Sequence, residues 1–461
     1  MEIKDDTVTS SSDSLQVEGS ISDVGTELMT RKISRRTLLN KGVAVGIGAT
    51  ALGPLLAACG GGSSTSTGPV TIQFAALTDT TGEQTAEINK FNQMNSGKIK
   101  VDYVQLPPVA TDQYSKFVTA FRSQSPTPDV VHIDVTWPSQ FATPGWLAPI
   151  DQYVSASYLN QFWPSAQNVA KVNGKLYGIQ RYMDIGMLYY RTDLVQKYGG
   201  TVPTTRDEMQ AMAQKIIAGE GAKGIQHGYL MPGKKIEAIV DEWLELIWGA
   251  GGSIGTPGNL QVSGSTQVEA LQYMHDLIYT LKLAPSDTDT YAPNDILALF
   301  KNGQAPFMRN WVFAYAIANN PSNSKVAGKV GVVPTLATTG QTGHGCTGGW
   351  VLAINAYSQH KDEAWKFIDY MLSKDTQTSL AMNAGLISSR PDVVSDPTVQ
   401  AKVPYFKQLS TILTGGMNRP QLKSYNQFTT PLQAAINGVL SNQGTPADAL
   451  NSVQPQVSSL M

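Results

Sequence analysis

The sequence predicts an α/β protein with two lobes. Its 461 residues exceed the length that one hydrophobic core usually organises, and 41% of them are hydrophobic, which suffices for a sizeable core. Beyond residue 70, stretches with the period of a strand alternate with stretches with the period of a helix. This alternation is typical of parallel sheets that are covered by helices.

The elements predicted first along the chain alternate strictly between strand and helix. Apolar residues recur at every second position in the strands or run unbroken, and they follow helical spacing in the helices, as at Ile88 and Phe91. We predict strands at 70–74, 99–104 and 130–133, and helices at 83–94 and 114–122. The order of these elements predicts parallel strands that are joined by helices.

Helical patterns dominate the later part of the chain. Thr205 and Glu208 have the spacing of a capping box, which opens a helix. Further amphipathic stretches lie at 237–248, 268–281 and 361–372. We assign these helices to the second lobe.

Charge and composition exclude several classes of protein. The 34 Lys and Arg residues nearly balance the 36 Asp and Glu residues, and this balance argues against a nucleic-acid partner bound by bulk electrostatics. There is one long uncharged apolar stretch, so a multi-pass membrane protein is excluded. The two cysteines, Cys59 and Cys346, form no disulfide framework unless they pair with each other.

The N-terminal region has the features of an export signal. Residues 1–30 are acidic and rich in Ser and Thr, which predicts a disordered extension. Basic residues then precede an apolar run at 42–58, so we interpret 31–58 as a signal peptide. Residues 34–39 resemble the twin-arginine motif, with Leu38 where Phe is usual.

The end of this signal predicts a lipid anchor. Leu-Ala-Ala before Cys59 resembles the bacterial lipobox, in which the cysteine becomes the lipidated first residue of the mature protein. Residues 59–69 then form the lipidated cysteine and a flexible Gly/Ser-rich tether. An uncleaved transmembrane helix is the alternative, but the apolar run is short and rich in helix-breaking residues.

Carboxylates and a tyrosine follow several predicted strands. Asp79 and Glu83 come after the first strand, Asp134 after the third, and Tyr182 and Asp184 after a later one. Ligands of open α/β sheets bind beyond the carboxyl ends of the strands. Carboxylates without matching basic clusters suit a neutral ligand rich in hydroxyls, because each carboxylate accepts O–H bonds. The alternative is that these side chains cap helices.

Aromatic residues could supply the other half of a carbohydrate site. Trp243 and Trp365 have helical core spacing, whereas other rings lie beside Gly or polar residues in predicted loops. The candidate rings are Trp137, Tyr182, Trp311 and Trp350. A pyranose presents an apolar C–H face that packs on such rings.

Catalytic and cofactor motifs are absent from the sequence, so we expect no enzyme, cofactor or metal. It contains no His-Glu-x-x-His, no Cys-x-x-Cys and no phosphate-binding loop. His344 and Cys346 could form a metal or nucleophile pair, although one buried cysteine is more often inert. Asp134 and Asp184 could be the two carboxylates of a glycosidase, since the sequence does not give their separation.

Several stretches in a fixed order resemble bacterial extracellular solute-binding proteins of the sugar-binding family. The resemblance spans roughly residues 70–440 and is greatest for trehalose/maltose-binding proteins of ABC importers. The matching stretches are Pro-Asp-Val at 128–130 with Asp-Val-Thr-Trp at 134–137, Gly-Trp-Leu at 145–147, Leu-Tyr-Gly-Ile at 176–179, Leu-Tyr-Tyr-Arg-Thr-Asp-Leu at 188–194, Phe-Lys-Asn-Gly-Gln-Ala at 300–305 with Asn-Trp at 310–311, Gly-Gly-Trp at 348–350 and Gly-Leu-Ile at 385–387.

The resemblance implies a periplasmic-binding-protein fold, with a ligand cleft between two lobes that hinge strands join. We expect residues 70–179 plus 329–355 in the first lobe, and 180–328 plus 356–461 in the second. The implied ligand contacts are Glu83 and Asp134 from the first lobe, Tyr182 and Asp184 from the second, Trp311 as a stacking platform, Gly349 and Trp350 closing over the ligand, and Arg419 as a donor. Some relatives carry an arginine near the second helix, where this sequence offers only Gln113 or Lys116.

The function that the resemblance implies is sugar capture for import. The protein would bind a neutral mono- or oligosaccharide, such as trehalose or maltose, and deliver it to a membrane permease. We expect a monomer, lipid-anchored through Cys59 on the extracytoplasmic face of the membrane. The alternative is a secreted glycan-cleaving enzyme that uses Asp134 and Asp184.

Overall fold

The computed structural model describes residues 68–107 and 109–461, so the predicted extension, signal and Cys59 anchor lie outside the described residues. The strands are β1 (Val70–Leu77), β2 (Ile99–Leu106), β3 (Val130–Asp134), β4 (Lys171–Val172), β5 (Lys175–Leu176), β6 (Gly178–Ile185), β7 (Met187–Arg191), β8 (Tyr229–Leu230), β9 (Gly255–Thr256), β10 (Asn259–Leu260), β11 (Phe307–Asn310), β12 (Val330–Val333), β13 (Cys346–Ile354), β14 (Ile387–Ser388) and β15 (Met417–Asn418).

Helices cover both sheets. They are α1 (Glu83–Met94), α2 (Ala110–Arg122), α3 (Pro138–Ala142), α4 (Ala156–Leu159), α5 (Pro164–Asn168), α6 (Thr192–Tyr198), α7 (Arg206–Glu220), α8 (Glu237–Trp248), α9 (Ser265–Tyr279), α10 (Pro293–Lys301), α11 (Phe313–Ala318), α12 (Lys361–Leu372), α13 (Lys374–Ala384), α14 (Pro391–Val394), α15 (Pro397–Lys402), α16 (Leu409–Thr414), α17 (Tyr425–Leu440) and α18 (Pro446–Val457). Among the described helices, none combines the length and apolarity that crossing a membrane requires.

The first sheet has seven strands in the order β14-β6-β13-β3-β1-β2, with β15 paired to β13. Strands β1, β2 and β3 are parallel, as predicted, whereas β13 runs antiparallel to both β3 and β6. Consecutive strand residues enter different cores: Phe74 belongs to one apolar cluster and Ala75 to another. This alternation places a separate core on each face of the sheet.

The second sheet has four strands in the order β12-β7-β11-β8. The chain enters it directly from the first sheet, because only Gly186 separates β6 from β7. A Cβ at Gly186 would lie 1.8 Å from Oε1 of Glu245, so close packing at this crossing requires glycine. The chain returns between β12 and β13 and crosses again after β15, because α17 packs in the same apolar cluster as α8.

The predicted lobe boundaries are wrong at several places. Strand β12 was assigned to the first lobe, but it pairs with β7 of the second sheet. Helix α12 was assigned to the second lobe, but its Phe367 packs against Phe74 of β1 with ring centroids 5.1 Å apart. Tyr182 and Asp184 lie on β6 and therefore belong to the first sheet. These memberships depend on pairing between distant segments, which local patterns do not encode.

Candidate functional site

A cavity of about 400 Å³ lies between elements of the two sheets. This volume falls within the range of roughly 300–1,000 Å³ that is usual for small-molecule sites. The structure brings the ligand contacts that the family resemblance implied to this one cavity. They are Glu83, Asp134, Tyr182, Asp184, Trp311, Gly349, Trp350 and Arg419.

Asp134 ends β3 and is tied to Arg419. Its Oδ1 and Oδ2 accept from Nη2 of Arg419 at 2.9 and 3.0 Å, and Oδ1 also accepts from the Thr136 hydroxyl at 2.7 Å. Nη1 of Arg419 donates to Oε1 of Glu237, the first residue of α8, at 3.2 Å. Arg419 was expected to donate to the ligand, but here two of its nitrogens bind carboxylates of the protein. It thereby links the first sheet to a helix of the second lobe.

Asp184 lies at the end of β6 and is half-buried at the cavity wall. Its Oδ1 accepts backbone N–H bonds from Ile185 at 3.0 Å and from Val312 at 3.1 Å. Burial raises the pKa of Asp184 to about 7, and the two N–H donors oppose this rise only in part. Near neutral pH the side chain therefore interconverts between a carboxyl that donates and a carboxylate that only accepts.

Tyr182, Trp311 and Trp350 place rings on the cavity wall. The Trp311 ring centroid lies 4.2 Å from the guanidinium carbon of Arg309, a cation–π contact that fixes the indole. Burial raises the pKa of Tyr182 above the ordinary value for tyrosine, so its hydroxyl keeps its proton and can donate. These rings and hydroxyls suit a ligand with both apolar and polar faces.

Trp137 was predicted as a fourth ring of the site, and this prediction is wrong. Its side chain is buried, and its ring packs against Phe117, Phe141 and Trp350 in the first lobe. Trp137 was predicted to lie in a loop because a polar residue lies beside it, but Pro138 begins a short helix directly after it. Trp243 is fully buried, as predicted.

Gly349 and Trp350 were expected to close over the ligand, but both lie within β13, a central strand of the first sheet. Gly349 has a φ of +123°, and a Cβ there would lie 2.3 Å from Nε2 of Gln180 and from the Tyr182 carbonyl oxygen. The glycine therefore permits a tight approach of β13 to β6 at the cavity wall.

The carboxylates that follow β1 have different roles. Asp79 accepts backbone N–H bonds from Thr81, Gly82 and Thr85, so it organises the turn into α1, as the capping alternative proposed. Glu83 lies in the first turn of α1, where one of its oxygens accepts from Nδ2 of Asn383 at 3.0 Å. Its other oxygen, Oε1, is buried without a hydrogen-bond partner among the described residues.

The possible pairing of His344 with Cys346 finds no support. Nδ1 of His344 lies 3.0 Å from the Gly415 carbonyl oxygen. The Cys346 thiol is buried 3.4 Å from Oδ1 of Asp241, and burial raises the thiol's pKa well above its ordinary value. A thiol that resists ionisation is a poor nucleophile. Within residues 68–107 and 109–461, no cluster of three or more His, Cys, Asp or Glu residues could hold a metal ion.

Sequence reasoning missed Arg181 and His132, which also line the cavity. In a regular strand Arg181 would point away from the face that carries Tyr182, so alternation gave no reason to select it. His132 lies inside the buried strand β3, where a histidine resembles a core residue. The pairing of β6 with β13 has a β-bulge at Arg181, and this bulge places Arg181 at the cavity.

The chain passes back and forth between two sheets, and a ligand-sized cavity lies between them. This arrangement defines a two-lobed binding protein. Comparison with known proteins specifies the class. A family described as bacterial extracellular solute-binding protein matches residues 75–378. The chain therefore belongs to this family, whose members act outside the cytoplasm, and the predicted resemblance is confirmed.

Three relatives illustrate the similarity. A "Probable ABC transporter-binding protein" of Deinococcus radiodurans is 32% identical over 84% of this chain and 93% of its own. Maltose-bound MalE3 of T. maritima is 32% identical with a TM-score of 0.79, over 84% of this chain and 99% of its own. The GacH receptor of Streptomyces glaucescens, solved with acarbose, is 25% identical with a TM-score of 0.74, over 84% and 98%.

Proposed function

We propose that the protein is the substrate-binding lipoprotein of an ABC importer and captures a neutral sugar. The cargo is an α-linked glucose disaccharide such as trehalose or maltose, which the protein delivers to a membrane permease as a monomer. The observation that carries this proposal is the combination of carboxylates and rings around one cavity of about 400 Å³. The similarity to maltose-bound MalE3 supports it further.

The cavity offers complementary groups for a sugar. Glu83 and Asp184 can accept O–H bonds, Tyr182 can donate one, and Trp311 offers an aromatic face. The side chains come from elements of both sheets, so a ligand would contact all of them together only when the lobes are closed. A sugar would therefore stabilise the closed form, and a permease could recognise that form.

Calorimetric titration with a panel of sugars tests this proposal. The panel contains trehalose, maltose, maltotriose, a polyol such as ribitol, and glutamate as a charged control. We expect saturable binding of at least one disaccharide, with a matching rise in melting temperature. The proposal fails if glutamate binds and no sugar does.

A glycan-cleaving enzyme is the second candidate. Asp184 has a pKa raised to about 7, whereas the neighbouring Asp134 is salt-bridged to Arg419, and an acid–carboxylate pair of this kind occurs in glycosidases. Incubation of the protein with maltose and trehalose distinguishes the two functions. Intact sugar supports the receptor, whereas released glucose that disappears in Asp134→Asn and Asp184→Asn supports the enzyme.

The proposed lipid anchor can be tested separately. We propose that export through the twin-arginine signal and cleavage before Cys59 leave the receptor tethered by residues 59–69. Cys59→Ser should move the protein from the membrane fraction to the soluble fraction while its sugar affinity stays unchanged. Unaltered membrane association of this variant would contradict the lipoprotein assignment.

A further inference from the structure

One end of the cavity has three buried side chains whose polar atoms lack partners. Among the described residues, these atoms are Nε and Nη2 of Arg181, both ring nitrogens of His132, and Oε1 of Glu83. All three residues line the cavity and come from elements of the first lobe. Buried polar groups in folded proteins are nearly always hydrogen-bonded, so a cluster of exceptions at a ligand-sized cavity requires an explanation.

A β-bulge places Arg181 in this cluster. Along β13, Trp350 pairs with Tyr182 whereas the next residue, Val351, pairs with Gln180, so Arg181 has no residue opposite it. A bulge bends the strand and changes the direction of a side chain, and bulges are common next to binding sites. Consecutive residues of a regular strand point to opposite faces, yet Arg181 and Tyr182 both line the cavity.

The Arg181 guanidinium is only partly satisfied by the protein. The residue is 2% exposed, and its Nη1 donates to Oε1 of Gln84. Within the part of the chain that the structure describes, Nε and Nη2 have no acceptor. Buried arginines are usually paired with carboxylates, but Arg181 has no carboxylate partner among the described residues. Because Arg181 lines the cavity, its two unpartnered donors are candidates for hydrogen bonds to a ligand.

The charges around this end define the group that fits. An anionic ligand group would pair with Arg181 but would be repelled by Glu83 and Asp79, which also line the cavity. An ammonium group would be attracted by the carboxylates and repelled by Arg181. A hydroxyl satisfies both sides, since it accepts a bond from the guanidinium and donates its own proton to Oε1 of Glu83.

His132 imposes the same requirement. Its burial, together with the charge of Arg181, lowers the pKa of His132 well below the ordinary value, so the ring is neutral. A neutral imidazole has one nitrogen that donates and one that accepts. Its ring packs 5.7 Å from Tyr182 and 5.4 Å from Trp350, which fixes its place beside the cavity.

We propose that Arg181, His132 and Glu83 form a subsite that binds two neighbouring hydroxyl groups of the ligand, with Arg181 as the specificity-determining residue. This inference rests on the proposed sugar-binding function. The subsite selects an uncharged vicinal diol and rejects a uronic acid or an amino sugar at this end of the cavity.

The test is a double-mutant cycle between Arg181→Met and single hydroxyls of the sugar. Wild type and variant are titrated calorimetrically with maltose, trehalose and the monodeoxy analogues of whichever disaccharide binds. Arg181→Met should weaken binding of the parent disaccharide roughly 10- to 100-fold, because hydrogen bonds to a charged donor are lost. For the analogue that lacks the contacted hydroxyl, the same substitution should weaken binding less than about threefold.

Arg206→Met is the matched control. Arg206 is 5% exposed, its Nη2 donates to the Leu246 carbonyl oxygen, and it does not line the cavity. Its loss should leave the affinity for every sugar unchanged.

The wild-type protein gives an independent readout. The Nε–H resonance of Arg181 should shift, and its proton should exchange more slowly with water, when sugar binds.

Two results with the variant overturn the subsite. In the first, Arg181→Met binds the parent sugar as tightly as wild type does. In the second, Arg181→Met loses the same factor of affinity for the parent sugar and for every deoxy analogue. An unchanged Arg181 Nε–H resonance in saturated wild type has the same meaning, even if the variant does not fold. If wild type binds no sugar at all, both the sugar-binding function and the subsite fail. If wild type and Arg181→Met bind sugar equally well, the subsite is rejected but the sugar-binding function is not.

Discussion

Two buried arginines line the same cavity and differ in what they bind. Arg419 has carboxylate partners in Asp134 and Glu237, whereas the only protein partner of Arg181 among the described residues is the Gln84 amide. The difference separates two tasks that sequence motifs do not distinguish. An arginine that pairs with buried carboxylates holds the protein together, whereas one that lines a cavity and pairs with no carboxylate is available to a ligand.

The surroundings of Arg419 support a structural task. Oε1 of Glu237, which accepts from Arg419, also accepts from the Tyr425 hydroxyl, and Oε2 accepts from Thr429 at 2.6 Å. The residues around Arg419 therefore form a continuous network from β3 of the first sheet through α8 to α17. Removal of the cation would leave several buried carboxylates without compensation.

The largest expected effect comes from removing each arginine in turn. Arg419→Met should destabilise the unliganded protein by about 3–5 kcal/mol, because Asp134 and Glu237 lose their buried counter-charge. Arg181→Met should lie within about 1 kcal/mol of wild type or be more stable, since it removes a buried charge that no carboxylate pairs. Urea unfolding monitored by circular dichroism measures both.

Arg390→Met controls for the loss of a large side chain. Arg390 is buried like Arg181 and Arg419, but the side chain of its partner Asp392 is 43% exposed, so water can solvate it. Its loss should cost about 1 kcal/mol or less through the ion pair. Equal destabilisation by Arg419→Met and Arg181→Met would remove the proposed distinction between the two arginines.

The second prediction concerns Asp184, which lies near the Arg419 network but has no cation within salt-bridge distance among the described residues. Because burial raises the folded-state pKa of Asp184 from 3.8 to about 7, the protonated form favours folding. Its contribution is complete below about pH 4 and is lost as pH rises through about 7. Between pH 4 and pH 8, the free energy of unfolding of wild type should therefore fall by on the order of 2–4 kcal/mol relative to that of Asp184→Asn.

Comparison of the two proteins at each pH isolates this residue, because other buried groups titrate in both. Glu242, for example, has a pKa that burial also raises to about 7, and its effect cancels in the difference. The measurement is urea unfolding of the unliganded proteins across the pH range. A stability difference that does not change with pH would contradict the assignment of the raised pKa to Asp184.

Local sequence patterns predicted much of the secondary structure. The predicted bounds of α1, α8 and α12 agree with the structure, since each helix has an amphipathic period and a recognisable boundary. The capping box at Thr205 and Glu208 is present. Lobe membership was harder to predict, because β12 pairs with β7 across more than a hundred residues of chain.

Site residues that lie in sequence motifs could be predicted, whereas those that depend on the pairing register of the strands could not. The ligand contacts that the family resemblance implied all reach one cavity because they follow strands or lie in motifs of the family, whereas Trp137 does not. Arg181 escaped prediction because one unpaired residue in β6 reverses the alternation on which the prediction depended. The partners of Arg419 were equally hidden, because Asp134 and Glu237 come from distant segments.

The third prediction tests the ring near the Arg419 network. Trp311→Ala should weaken disaccharide binding by roughly 10- to 100-fold, because a rigid aromatic face at the cavity is lost. Trp365→Ala is the control, since its ring stacks on Tyr153 with centroids 5.2 Å apart and does not line the cavity. Calorimetry should show a loss of affinity in the first variant alone, and equal affinities would exclude stacking on Trp311.

The smallest expected effect belongs to Gly348, which faces the Arg419 side of the cavity. A Cβ there would lie 3.5 Å from Cζ3 of Trp311 and 3.8 Å from Nη2 of Arg419, which are ordinary contact distances. Gly348→Ala should change stability by less than about 0.5–1 kcal/mol and weaken sugar binding only severalfold, because one methyl group narrows the cavity.

Gly349→Ala is the contrasting variant, since its methyl group would meet the Tyr182 carbonyl oxygen at 2.3 Å with φ at +123°. It should unfold at a clearly lower urea concentration than Gly348→Ala. If the two alanines were equally tolerated, β13 would be free to move away from β6. The bulge that directs Arg181 into the cavity would then not be held by tight packing, and the contrast between the two arginines would lose its structural cause.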